Sequence, residues 1–160
     1  MEKTHFNTSI EWLNKAHQHA KGYSGCRKVQ VGSVIVEPHY NTAVAFGANQ
    51  AIPDACKSGQ CLRVEKYGED SKNHRLPSDC RAIHSELDAI ISAAENLSGC
   101  TIYVTRYPCE ACARAIVSAG ITTVVYGREQ EISRETAQIF EHYDVTVIHR
   151  SDWTAEDKTY

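Results

Sequence analysis

A chain of 160 residues, 42% of them hydrophobic and with a formal net charge of −3, has the length of one domain with a sizeable core and too ordinary a composition for a disordered or fibrous protein. The acidic balance argues against long nucleic acid as a partner, because such polymers are gripped by basic faces, and no stretch approaches the ~20 apolar residues of a membrane span. The N-terminal MEKTHFNTSIEW lacks the apolar segment of a secretory leader, so the chain is read as cytoplasmic, where thiols stay reduced and its seven cysteines are metal ligands or buried residues rather than disulfides.

In chain order, Thr8 and Glu11 have capping-box spacing, and Ile10, Trp12, Leu13 and Ala16 form an apolar face, which predicts a helix over Thr8–Ala20. The β-branched run Val29–Val36 is a strand stopped near Pro38. Asn41 starts a turn, and Thr42–Phe46 returns as the second strand of a hairpin. Residues 48–79 carry many charges, two prolines and little periodicity. A loop of that length inside a compact domain is usually functional or braced, and the cysteines and histidine within it point to bracing. Beyond it the pattern turns regular: a helix over Ile83–Ala94, a strand over Thr101–Thr105, a helix opened by Pro108 and ended by Gly120, a strand over Thr122–Tyr126, a helix over Ser133–His142 and a last strand over Val145–His149. A hairpin followed by helix–strand alternation implies an α/β protein, a three-layer α/β/α sandwich around a mixed five-stranded sheet. It is read as a single domain over 1–160, with 48–79 inserted and 151–160 a loose polar tail.

The residues that carry chemistry are His84-Ser85-Glu86 and Pro108-Cys109-Glu110-Ala111-Cys112. A two-residue gap lets both thiolates grip one ion from the start of a helix, and a histidine at a second helix start supplies a third donor. Thiolate and imidazole are the donors zinc prefers, and helix N-termini stabilise thiolates. Three protein ligands leave one tetrahedral position open, as catalytic zinc sites do. Glu86, two positions past the histidine, points at a different azimuth and reaches water beside the zinc rather than the ion itself, which suits general acid–base work. A zinc-knuckle brace completed by Cys80 or His149 is the competing reading, and it gives Glu86 no task.

His-x-Glu followed by Pro-Cys-x-x-Cys is the signature of zinc-dependent nucleobase deaminases. The chain resembles the cytidine deaminase superfamily over about Ile10 to Arg150, and within it the deoxycytidylate (dCMP) deaminases. Val31-Gly32-Ser33-Val34-Ile35-Val36 is similar to the family's first strand, usually Val-Gly-Ala-Val-Ile-Val, and His84-Ser85-Glu86 stands where the family usually has His-Ala-Glu. The resemblance implies hydrolysis of dCMP to dUMP and ammonia, with Glu86 as proton carrier and His84, Cys109 and Cys112 as zinc ligands. It also implies substrate contacts. Asn49, in Gly47-Ala48-Asn49-Gln50, would meet the deoxyribose; Tyr126 would pack on the base; Arg27, Lys28 or Arg128 would lie near the 5′-phosphate. Some relatives hold a second, structural zinc, for which Cys26, Cys56, His74 and Cys80 occupy comparable places, with Cys61 a substitute for Cys56 and Cys100 a buried strand residue. A homo-oligomer, commonly a hexamer, and regulation by dCTP and dTTP follow from the same resemblance, although Ala48 and Gln50 depart from the family's loop. Deamination of another base (cytidine, a modified cytidylate, guanine or tRNA adenosine) and a non-catalytic zinc-binding module are the alternatives.

Overall fold

The computed structural model describes residues 2–26, 28–51, 61–73, 80–129 and 133–155. In it, α1 (Glu2–Tyr23) leads into the antiparallel hairpin β1 (Gly32–Glu37) and β2 (Thr42–Ala48), with Asn41 at a positive φ of 51° in the turn. A two-residue strand β3 (Gln50–Ala51), helix α2 (Leu62–Tyr67), a 3-10 turn over Gly68–Lys72 and β4 (Ala82–Ile83) follow. The remainder alternates α3 (Ser85–Ser92), β5 (Thr101–Arg106), α4 (Glu110–Ser118), β6 (Thr123–Arg128), α5 (Arg134–His142) and β7 (Thr146–His149).

The main sheet has five strands in the order β2-β1-β5-β6-β7. β1 is antiparallel to both β2 and β5, whereas β5, β6 and β7 are mutually parallel, so the sheet is mixed, as expected. Alternate residues of β1, β5 and β6 divide between two cores. Val34, Val36, Tyr103 and Val125 meet Trp12, Leu13 and Ala16 of α1 on one face. Ile35, Ile102, Val104, Val124 and Tyr126 meet Ala89 of α3, Ala113 and Ile116 of α4, and Phe140 of α5 on the other. Burial on both faces is why these strands read as nearly continuous apolar runs.

Two glycines set how closely the outer layers approach. A Cβ at Gly32 would stand 1.9 Å from the Ala16 carbonyl oxygen on the α1 side, and one at Gly47 would stand 2.1 Å from the Ser85 carbonyl oxygen on the α3 side. Each helix therefore lies against bare backbone where it crosses the hairpin.

Three expectations are corrected. The first helix starts at Glu2 rather than Thr8; no proline or glycine before Thr8 breaks it, and the capping-box spacing falls inside it. The inserted stretch is not wholly a loop, because Leu62–Lys72 forms α2 and its 3-10 extension. The tail is not loose through residue 155: Trp153 is buried, donates its indole N–H to Asn14 Oδ1 at 2.9 Å and sets its ring edge-on to His17. Among the described residues no helix is long and apolar enough to cross a membrane.

Candidate active site

Two helix starts converge at one end of the sheet. His84 immediately precedes α3 in extended conformation, and its carbonyl oxygen accepts the first helical bond, from the Asp88 amide at 3.0 Å. Cys109 stands in the same relation to α4, with its carbonyl accepting from Ala113 at 2.9 Å, and Cys112 occupies the first turn. The unpaired amides and aligned dipoles of both helices therefore face the same point.

At that point His84 Nδ1 is 3.4 Å from Cys109 Sγ and 3.4 Å from Cys112 Sγ, and all three donor atoms lie within 4.8 Å of one another. Donors held 2.0–2.3 Å from one tetrahedral zinc would be about 3.6 Å apart, so the three fit that ion in spacing and in chemistry. Among the described residues this is the one such cluster of three or more donors. Cys112 is buried, Cys109 half-buried and His84 exposed, so the site opens on the histidine side.

The electrostatics favour a cation. The two thiols behave as a pair. Cys109 is pushed down to about 4, first by the hydrogen bond from Cys112 and then by His84, while Cys112 is held well above the usual thiol range because it donates that bond and is buried. The thiolate beside it raises His84, against the opposing effect of burial. A divalent ion would relieve both thiols of this shared proton. Glu86 is 4% exposed, and burial pushes its carboxyl up, partly offset by the positive charge of His84. Ser85 Oγ donates to Glu86 Oε2 at 3.0 Å.

The other expected site residues occupy varied settings. Asn49 is buried and its side chain ties three segments together: Oδ1 accepts from Ser24 Oγ at 2.5 Å and from the Val31 amide at 2.9 Å, while Nδ2 donates to the Val29 carbonyl at 2.7 Å. Tyr126 lies in the core, stacked on His149 at 4.6 Å and edge-on to Tyr107 at 4.9 Å. Lys28 Nζ donates to Ser71 Oγ at 2.7 Å, joining the loop before β1 to the inserted stretch. The Arg128 guanidinium lies 5.4 Å above the Trp153 ring. Cys26, Cys61 and Cys80 are half-buried free thiols and Cys100 is a buried one. Arg27, Cys56 and His74 lie outside the described residues. Arg63 of α2 was not expected: its charge is near enough to His84 to oppose protonation of the imidazole. An irregular, charge-rich segment gave no signal that one of its arginines would return to the metal site.

The fold and site together define an α/β metalloprotein with a three-donor centre, open on one side, beside a buried carboxyl group. The chain belongs to the family described as the cytidine and deoxycytidylate deaminase zinc-binding region, which matches over residues 7–128; zinc is the cofactor that both the family and the donor set specify. ComE operon protein 2 of Bacillus subtilis is 30% identical over 127 residues, covering 78% of this chain and 61% of that protein. The deoxycytidylate deaminase of Mycobacterium phage D29 is 34% identical over 113 residues, covering 66% and 84%, and the human deoxycytidylate deaminase is 35% identical over 98 residues, covering 61% and 52%. The chain thus spans about three fifths of the Bacillus protein and about half of the human one. Among solved structures, dCMP deaminase from the cyanophage S-TIM5 in complex with dCMP and dUMP has the same fold, with a TM-score of 0.64 at 21% identity over 88% of this chain and 94% of that one.

Proposed function

We propose that the protein hydrolyses the exocyclic amine of a pyrimidine deoxynucleotide, dCMP plus water giving dUMP plus ammonia. The observation that carries this reading is a buried glutamate two residues past His84, beside a His/Cys/Cys donor set. The names of the relatives that are 34–35% identical support the deoxycytidylate substrate.

Zinc bound by His84, Cys109 and Cys112 supplies Lewis-acid chemistry, which makes a nucleophile of water near neutral pH. Glu86 does the proton work: it takes one proton from the attacking water and delivers it to the ring nitrogen, then takes the remaining proton from the hydroxyl of the adduct and delivers it to the amine, which leaves as ammonia while the carbonyl forms. A carboxyl group with an elevated pKa can both accept and return a proton near neutrality. The two helix N-termini favour the thiolates on which zinc binding depends.

In this reading Asn49 shapes the loop that borders the sugar, through its three hydrogen bonds, and Tyr126 forms the floor beneath the base. Arg27, Lys28 and Arg128, with Arg63 added, are the basic groups from which the 5′-phosphate is served. Cys26, Cys56, His74 and Cys80 are assigned to a second zinc. A homo-oligomer regulated by dCTP and dTTP, working in the cytoplasm, completes the proposal.

The test is ammonia release by the zinc-loaded protein on a panel of cytosine, cytidine, dCMP, guanine and a tRNA stem-loop, with and without dCTP and dTTP. dCMP is expected to be turned over at the highest kcat/KM. Turnover of another member in its place would overturn the substrate, and an inactive protein that retains zinc would overturn the enzyme.

A further inference from the structure

The Glu86 carboxyl group does not stand alone in the core. Ser85 Oγ donates to its Oε2 at 3.0 Å, and Ser33 Oγ lies 2.6 Å from Ser85 Oγ. Both serines are fully buried. A hydroxyl has one hydrogen to give. With Glu86 ionised, the hydrogen of Ser85 goes to the carboxylate and Ser33 is the donor in the bond between the serines, so the chain runs Ser33 to Ser85 to Glu86; when Glu86 takes up a proton the same two hydroxyls can reverse their direction and still bind it.

The contact depends on how α3 sits on the hairpin. Ser33 and Gly47 are register partners on β1 and β2, so their side-chain positions share a face. It is the missing Cβ of Gly47 that lets the Ser85 backbone approach.

We propose that Ser33 and Ser85 are positioning residues which hold the Glu86 carboxyl group in one rotamer, Ser85 by direct donation and Ser33 by orienting the Ser85 hydroxyl. The inference rests on the proton-carrier role given to Glu86 above. A buried hydroxyl pair earns its place only if both members are satisfied, because a lone buried hydroxyl costs stability. Chains of this kind are also worth more than their separate bonds.

The experiment uses the zinc-loaded full chain and the variants Ser33→Ala, Ser85→Ala and Glu86→Gln, singly and in pairs, each checked for unchanged zinc content. Urea unfolding comes first, because it needs no turnover. Ser33→Ala with Ser85→Ala, and Ser85→Ala with Glu86→Gln, are each expected to be non-additive, the Ser33→Ala/Ser85→Ala protein being more stable than Ser85→Ala alone because it leaves no orphan hydroxyl. Additive effects in both cycles would overturn the chain of hydrogen bonds. Kinetics on dCMP come second. Ser85→Ala is expected to lower kcat about tenfold, the scale of a hydrogen bond to a charged group, at unchanged KM, with Ser33→Ala smaller in the same direction. A kcat within twofold of the parent, or a change confined to KM, would overturn the positioning role. A parent protein that deaminates nothing refutes the deamination reading instead, and the unfolding cycles still decide the hydroxyl chain.

Discussion

Gly47 and Ser85 meet backbone to backbone: a Cβ on Gly47 would stand 2.1 Å from the Ser85 carbonyl oxygen and 2.5 Å from the Ala89 amide nitrogen. Neither atom belongs to a flexible side chain, so the clash cannot be relieved by a rotamer change. Gly47→Ala must push α3 away from β2, and α3 carries Glu86 in its first turn, directly after His84. The substitution is expected to destabilise the protein by about 1–3 kcal/mol, the usual cost of overpacking, and to lower turnover more than zinc content. Thermal unfolding with metal analysis checks this. An alanine variant as stable as the parent would mean that α3 docks differently.

In the proposed site the zinc is held by His84, Cys109 and Cys112. Cys112 is fully buried, and removing its sulfur leaves two donors on an open site. Cys112→Ala is expected to lose one zinc per chain under dialysis that leaves the parent loaded. If Cys26, Cys56, His74 and Cys80 hold a second ion, the parent carries two and Cys112→Ala keeps one, whereas Cys80→Ser loses the other. Zinc by mass spectrometry against protein concentration gives the count. Retention of the full complement in Cys112→Ala would remove that cysteine from the ligand set.

Glu86→Gln keeps the shape of the side chain and removes its capacity to carry a proton. Zinc content and fold are expected to persist, because Glu86 is not among the three donors, while kcat falls by about 10²–10⁴, the usual scale of general acid–base catalysis. Single-turnover ammonia release measures the loss. Activity within tenfold of the parent would assign the proton transfers to another group.

The candidate donor cluster was legible in the sequence because it demands fixed residue types at fixed spacing: Cys-x-x-Cys at a helix start and a histidine two before a glutamate can be recognised without any tertiary information, and the structure brings these donors within 4.8 Å of one another. The strands β1, β5 and β6 were legible for a similar reason, since burial on both faces writes a nearly unbroken apolar run. What escaped depends on contacts between distant segments. The helix Leu62–Tyr67 is six residues long and buries none of its side chains fully, so it has no amphipathic period to read. Trp153 is a single aromatic in a polar stretch, and its burial arises from packing in the core beneath α1, with a hydrogen bond to Asn14, 139 residues away. The hydroxyls of Ser33 and Ser85 look like small core residues until the approach permitted by Gly47 brings them together. Asn49 was recognisable as a special position, but not as the clip that joins Ser24, Val29 and Val31.

His17 gives the fold a built-in dependence on pH. It is 5% exposed on the inner face of α1, its ring edge-on to Trp153 at 5.8 Å, and among the described residues neither ring nitrogen has a hydrogen-bond partner. Burial, then the positive charges of Lys21 and Arg128, hold its pKa below the usual 6.5. The unfolded chain, with an ordinary histidine, therefore binds more protons than the folded one once the pH drops below about 6.5, and stability rises with pH wherever the unfolded state binds more protons. The contribution of His17 is neutral above that pH and becomes increasingly unfavourable as the pH falls from 6.5 toward the lowered folded value. His17→Phe keeps a ring against Trp153 and cannot charge. Urea midpoints measured from pH 8 to pH 5 are expected to fall more steeply for the parent than for His17→Phe, with the two curves closest in slope above pH 7. Parallel curves throughout would show that the buried imidazole does not stay neutral at the expense of stability, and that the acid sensitivity of the fold originates elsewhere.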